Sequence, residues 1–257
     1  MRVQHIFDDD DAAAAKPDGV ADAPRSDARV DAARDTSAPD APAPSPLCSD
    51  PALRLMLGFD NSVLDAVNSA APLSGGATAL YNGAVGAPPP GLSRELASPP
   101  LEYPPSLLDN LGEATISLWV APSYDLPSYN GSATLLHMVH GALSDGTQLV
   151  IKHQAEAPRR IPIYLAGLDV SLPESSLPKD KLSHIVFVWS TQQQKAWSYL
   201  DGSLAATASG DVPSGVGKYL RIGGSTNALP GVLDSVMIFA RALSATEVGA
   251  LYRARCP

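Results

Sequence analysis

From Pro46 onward the chain is a succession of short apolar runs separated by Gly, Pro, Ser and Asn, with almost no helical period among them. In Ala114–Val120, Thr115, Ser117 and Trp119 alternate with Ile116, Leu118 and Val120. A period of two puts these sets on opposite faces of a strand, so the segment is predicted to be a half-buried strand. Comparable runs at 53–59, 133–139, 147–153, 160–165, 183–190, 195–200, 203–208, 219–222 and 231–239 predict further strands. Many short strands without intervening helices predict an all-β fold of antiparallel sheets packed as a sandwich. Asp201-Gly202 lies between two runs, and such a pair supplies the positive φ angles of a tight hairpin.

One short helix is expected near the C-terminus. Ser244-Ala-Thr-Glu247 fits a capping box, in which the Ser hydroxyl accepts from the amide three residues on and the Glu reaches back. Val248, Leu251 and Tyr252 follow as an apolar stripe. The helix is expected to run about two turns and to close an edge or end of the sheets.

Residues 1–46 differ in kind. They hold ten Asp, no Glu, five Lys+Arg, twelve Ala and six Pro, so they supply −5 of the net −9. Their apolar content beyond Ala is too thin to offset the roughly 1–2 kcal/mol per residue of backbone ordering, which predicts a disordered acidic tail or tether. The domain is then expected at residues 47–257. An acidic chain makes nucleic acid and anionic membrane surfaces poor partners, because phosphate binding draws on clustered Lys and Arg. No window reaches the roughly 18 apolar residues of a membrane span, and the N-terminus lacks the apolar core of an export signal.

Four segments, in order, resemble laminin-G-like jelly-roll domains of the concanavalin A-like lectin/glucanase group. They are Leu55-Met-Leu-Gly-Phe-Asp60; Ala114–Val120 with its Trp; Ser183–Trp189 followed by Trp197–Gly202; and Leu220–Gly224 followed by Gly231–Val248. The sequence departs from the family pattern at Leu182, where a Trp is common, and at Ser235, where an acidic residue is usual. The resemblance implies an antiparallel two-sheet jelly roll over residues 48–256. Calcium is frequent in this group, and the matching positions are Asp60 and Asp234; the alternative is that Asp60 caps a turn and Asp234 bonds to backbone.

Cys48 and Cys256, the only cysteines, flank this domain. They are expected to form one disulfide joining its two ends, the alternative being two free thiols. A disulfide implies an oxidising compartment, so a secreted or surface-displayed domain is expected although the chain shows no export signal. Lipid attachment at Cys48 is disfavoured because no apolar segment precedes it.

Glycosidases of this fold need two carboxylates about 5–9 Å apart. The six Glu are Glu95, Glu102, Glu113, Glu156, Glu174 and Glu247, and none has an acidic neighbour two positions away. Asp109 and Glu113 are read as loop residues before the Trp119 strand. His137 and His140 are three apart, which on a strand sends them to opposite faces, and His184 among apolar neighbours reads as a hydrogen-bonded core or edge residue. No enzyme is therefore expected. What remains is recognition of carbohydrate or a protein ligand by aromatic and polar side chains. The candidates are Tyr124, Tyr129 and Asn130 after the Trp119 strand, and Tyr164 and Trp197 on strands, with Trp119 and at least one other Trp assigned to the core. The alternatives are a glycoside hydrolase or lyase of the same fold, and a purely structural spacer.

Overall fold

The computed structural model describes residues 45–59, 62, 65–73, 81–82, 93–95, 100–108, 111–128, 133–140, 148–153, 160–165, 167–212, 217–223, 231–253 and 256. All belong to one unit, Pro42–Pro257. The strands are β1 (Leu53–Leu57), β2 (Tyr81–Asn82), β3 (Ser93–Glu95), β4 (Leu101–Tyr103), β5 (Glu113–Pro122), β6 (Ala133–His140), β7 (Gln148–His153) and β8 (Arg160–Ile161). They continue as β9 (Ile163–Leu165), β10 (Leu168–Asp169), β11 (Leu172–Pro173), β12 (Ser183–Ser190), β13 (Lys195–Leu200), β14 (Ser203–Ser209), β15 (Gly217–Ile222) and β16 (Gly231–Phe239). A single α-helix among the described residues, α1, spans Ala245–Arg253.

The first sheet runs β14-β13-β12-β5-β16-β3-β2, with β1 also paired to β16. The second runs β10-β9-β7-β6-β15-β4, and β11 pairs with β8 separately. Every recorded pairing is antiparallel. The fold is the expected all-β sandwich with one short C-terminal helix. Apolar side chains from both sheets meet between them: Ile116, Leu118, Val120, Ile185 and Phe187 from the first, Ile163, Leu165, Leu220 and Ile222 from the second. Burying one such side chain stabilises the fold by about 1.5–3 kcal/mol.

Four expectations change. The central strand β5 is buried on both faces, because Thr115, Ser117 and Trp119 are 0–3% exposed as well as Ile116, Leu118 and Val120. The reason is a second apolar layer outside the first sheet, where Leu47, Leu243, Val248 and Leu251 pack on Val186, Val188, Met237 and Phe239. Helix α1 thus roofs a sheet face instead of closing an edge or end. Glu113 begins β5 and is not in the preceding loop, and Pro162, which has no N–H to give a ladder, separates β8 from β9 within the run read as one strand.

Local signals hold where chemistry fixes them. Asp201 and Gly202 have φ of 47° and 76°, joining β13 to β14. A Cβ on Gly202 would lie 3.0 Å from that of Tyr252, so the turn also makes room for α1. The capping box forms: the Glu247 amide donates to Ser244 Oγ at 3.3 Å, and the Ser244 amide donates to Glu247 Oε2 at 2.7 Å. Cys48 and Cys256 are disulfide-bonded, with Cα atoms 5.3 Å apart.

Candidate functional site

The second sheet carries transverse rows of directly opposed residues. One row, Leu165–Leu149–Met138–Leu220–Tyr103, is entirely apolar or aromatic, and its described members Leu165, Leu220 and Tyr103 are buried in the core. The neighbouring row, one residue along each strand and therefore on the other face, reads Asp169–Tyr164–Val150–His137–Arg221–Glu102 across all six strands. Its described members are half-buried or exposed. Charged and aromatic residues thus gather along the outer face of this sheet.

One end of the row is held by an ion pair. Arg160, from β8, donates through Nη1 to Asp169 Oδ2 at 2.6 Å and through Nη2 to the Tyr164 hydroxyl, with Cζ 5.4 Å from the Tyr164 ring centroid. The Asp169 carboxylate also accepts from the Ser171 amide at 3.0 Å and from the Ser171 hydroxyl. At the other end Arg221 grips Glu102 Oε1 through Nε at 2.9 Å and through Nη2. Each cation here has an anionic partner, so the row offers N–H donors beside carboxylate acceptors with the described charges balanced. Arg160 Nε–H is buried without an acceptor among the described residues, and a buried donor left so costs about 1–3 kcal/mol.

The outer face of the first sheet is built for packing. Asp234, Trp119 and His184 stand in register on β16, β5 and β12. The Trp119 ring stacks on His184 at 4.6 Å and on Tyr252 of α1 at 5.6 Å. His184 is fully buried with Nε2 2.7 Å from Ser117 Oγ, which is the expected hydrogen-bonded core residue. Its amide donates to Asp201 Oδ1 at 2.8 Å, tying the hairpin to this face. Trp189 is the second core Trp, 1% exposed, with Nε1 donating to the Leu111 carbonyl at 3.1 Å.

Arg241, just after β16, joins three segments. It donates to Asp50 Oδ2 through Nε at 3.0 Å and Nη2 at 2.5 Å, and through Nη2 to Glu247 Oε1 at 2.7 Å. The Arg241 hydrogen bond holds the Glu247 carboxyl at a pKa of about 2, with Ser244 adding to the effect against the cost of burial. Asp50 is lowered too, chiefly by the same guanidinium.

The predicted site residues fall in different places. Tyr164 lies in the outer row of the second sheet. Trp197 lies on the first, opposite Val188 and Thr207 at the margin of the layer under α1. Tyr124 is 54% exposed in the turn after β5, while Tyr129, Asn130 and Asp60 lie outside the described residues. Asp234 is 2% exposed, and its Oδ1 accepts from the Ser235 amide at 2.7 Å. It thereby braces a bulge where Ser235 has φ of 47°. Calcium takes six to eight oxygens, and the described residues contain no group of three or more His, Cys, Asp or Glu that would begin such a shell. Because Asp60 lies outside the described residues, the expected pair is not assembled among them, and no role is derived through the ion.

Arg160, Asp169, Arg221 and Glu102 were not among the expected site residues. Strand parity offered one signal, since Arg160 and Tyr164 are four apart. Glu102 and Arg221 are separated by 119 positions, and only strand pairing brings them together.

Three of the described Glu are held by other side chains. Glu102 is bound by Arg221, Glu247 by Arg241, and Glu113 Oε1 accepts from the Ser190 hydroxyl at 2.5 Å. Glu102 and Glu113 also belong to different sheets.

The molecule is thus an antiparallel β-sandwich with one outer face covered by α1 and the N-terminal segment and a polar, aromatic-bearing row on the other sheet. The family model Laminin_G_3, described as concanavalin A-like lectin/glucanases superfamily, matches residues 98–249, more than half the chain, and the chain belongs to that superfamily. No curated protein matches. Among solved structures, domain 4 of AbnA, a GH43 extracellular arabinanase from Geobacillus stearothermophilus in complex with arabinotriose, is 18% identical. It covers 78% of this chain and 98% of its own, with a TM-score of 0.54. The botulinum neurotoxin serotype D binding domain is 15% identical, covering 79% of this chain and 52% of its own at a TM-score of 0.59. The serotype D ligand binding domain in complex with N-acetylneuraminic acid is 16% identical, covering 79% and 51% at 0.56. This chain therefore spans about half the length of the neurotoxin domains it matches. At these identities the likeness is one of fold.

Proposed function

We propose that this chain is a non-catalytic extracellular recognition module whose ligand is carbohydrate, with residues 1–46 as an acidic spacer. The observation that carries this reading is the outer row of the second sheet. Tyr164 has its hydroxyl tied to Arg160, and ion pairs stand at both ends of the row. Sugars present C–H faces that pack on aromatic rings and hydroxyls that both donate and accept, and such a row supplies partners for each. Holding these side chains in place beforehand reduces the ordering cost of binding. The Cys48–Cys256 disulfide supports an oxidising, extracellular setting, and no described helix is long and apolar enough to cross a membrane. That two solved relatives are described with arabinotriose and with N-acetylneuraminic acid adds support.

The test is a glycan-array screen of the full chain, run with calcium and again with chelator. Saturable binding to a defined glycan group, without release of product from it, supports the module. Absence of binding in both conditions overturns the carbohydrate reading in favour of a protein ligand or a structural spacer.

A further inference from the structure

We infer that the outer row of the second sheet takes an uncharged, extended oligosaccharide lying across the strands, with Tyr164 as its platform and the Arg221–Glu102 pair as its far anchor. This rests on the carbohydrate reading above and narrows it to a ligand class, a direction and a length.

The direction follows from register. Tyr164, Val150, His137, Arg221 and Glu102 are directly opposed on β9, β7, β6, β15 and β4, so the groups that could hold a ligand lie along a line perpendicular to the strands. The length follows from sheet geometry. Tyr164 and Arg221 are three strand steps apart, about 14 Å at the usual interstrand spacing, and Glu102 is one step further. A sugar ring advances a linear chain by roughly one such step, so a single sugar reaches one end of the row and about three or four rings reach both.

The absence of charge follows from pairing. Arg160 is matched by Asp169 and Arg221 by Glu102. Among the described side chains, a ligand carboxylate would be desolvated without gaining an uncompensated cation and would stand near two carboxylates. A neutral polyol meets the opposite situation. Vicinal hydroxyls can donate to the carboxylate and accept from the guanidinium of one ion pair, and neither ion has to lose its partner. Both pairs are about one-third exposed, with side-chain exposures of 28–35%, so their outer edges remain reachable.

The experiment is calorimetric titration of the full chain with xylo- and cello-oligosaccharides of one to six units, and with oligogalacturonates of the same lengths. Affinity for a neutral series is expected to rise at least tenfold from one unit to three or four and then level off, with the galacturonates at least tenfold weaker. Glu102→Gln, which keeps the size of the side chain, is expected to weaken the tetramer at least fivefold and the dimer less than twofold. Tyr164→Ala is expected to weaken every length at least tenfold. Tyr164→Phe, which keeps the ring, should retain most of the affinity, and a thermal melt of each variant reports that it is folded.

Length-independent affinity, stronger binding of galacturonates, or a Glu102→Gln effect equal for dimer and tetramer overturns this inference. So does silence of both neutral series when other glycans bind on the array; in each of these cases the carbohydrate reading stands. If no glycan binds at all, the reading itself falls and takes this inference with it.

Discussion

The two outer faces of the sandwich come from the same alternation of residues and end in opposite states. On the first sheet Trp119, His184 and Ser117 are at most 3% exposed beneath α1 and the N-terminal segment. On the second, Tyr164, Arg160, Asp169, Arg221 and Glu102 remain half-buried or nearly so. Polar residues survive burial on the roofed face because they are bonded to one another, as Ser117 is to His184. On the open face ion pairs are solvated and contribute little to stability, about 0–1 kcal/mol each. Their arrangement along one line is the observation on which the proposed recognition role rests. Trp119 under the roof is almost fully buried, whereas Tyr164 in the outer row is half-buried and is the platform proposed above.

This contrast can be broken from the roofed side first. Replacing Cys48 and Cys256 by Ser frees both ends of the layer and is expected to cost up to about 4–5 kcal/mol, read as the shift of a urea unfolding curve. Trp119→Ala removes the ring between His184 and Tyr252 and is expected to cost about 3–4 kcal/mol, with loss of near-ultraviolet circular dichroism. Arg241→Ala leaves Asp50 and Glu247 without their guanidinium and is expected to cost about 2 kcal/mol. In the open row, Tyr164→Ala should change stability by less than about 1 kcal/mol while abolishing most ligand affinity. If Tyr164→Ala destabilised the protein as much as Trp119→Ala, the division between the two faces would fail.

Acid sharpens the same division. Glu247 has its pKa lowered from 4.5 to about 2 by Arg241, so the folded state favours the ionised form. Its contribution is fully present above pH 4.5 and is lost as pH falls through about 2. Asp50, also lowered, acts in the same sense. The wild type should thus lose stability over this range, and Arg241→Ala should lose less of it. Equal acid sensitivity in urea titrations of the two proteins would show that Arg241 does not set this dependence.

Elements whose chemistry is local were readable from the chain. The Asp201-Gly202 hairpin and the Ser244–Glu247 box each carry their instruction within a few residues, and each forms; the β5 alternation marks the strand but not its burial, since both faces are covered. Strands such as β4, β10 and β11 are two or three residues long, too short for a period to show. The candidate site was legible only at Tyr164. Its partners lie on β4, β8, β10 and β15, and their proximity depends on which strands pair and in what register.

The sequence by itself determined that this protein is an antiparallel sandwich ending in a capped helix, because period, turn and cap are written in neighbouring residues. Tertiary structure decided which outer face is roofed by α1 and the N-terminal segment. A strand's alternation states that two faces differ, but covering one of them takes segments about two hundred residues apart, Leu47 and Cys48 from one end and Val248 and Leu251 from the other. Only folding brings those segments to the same side.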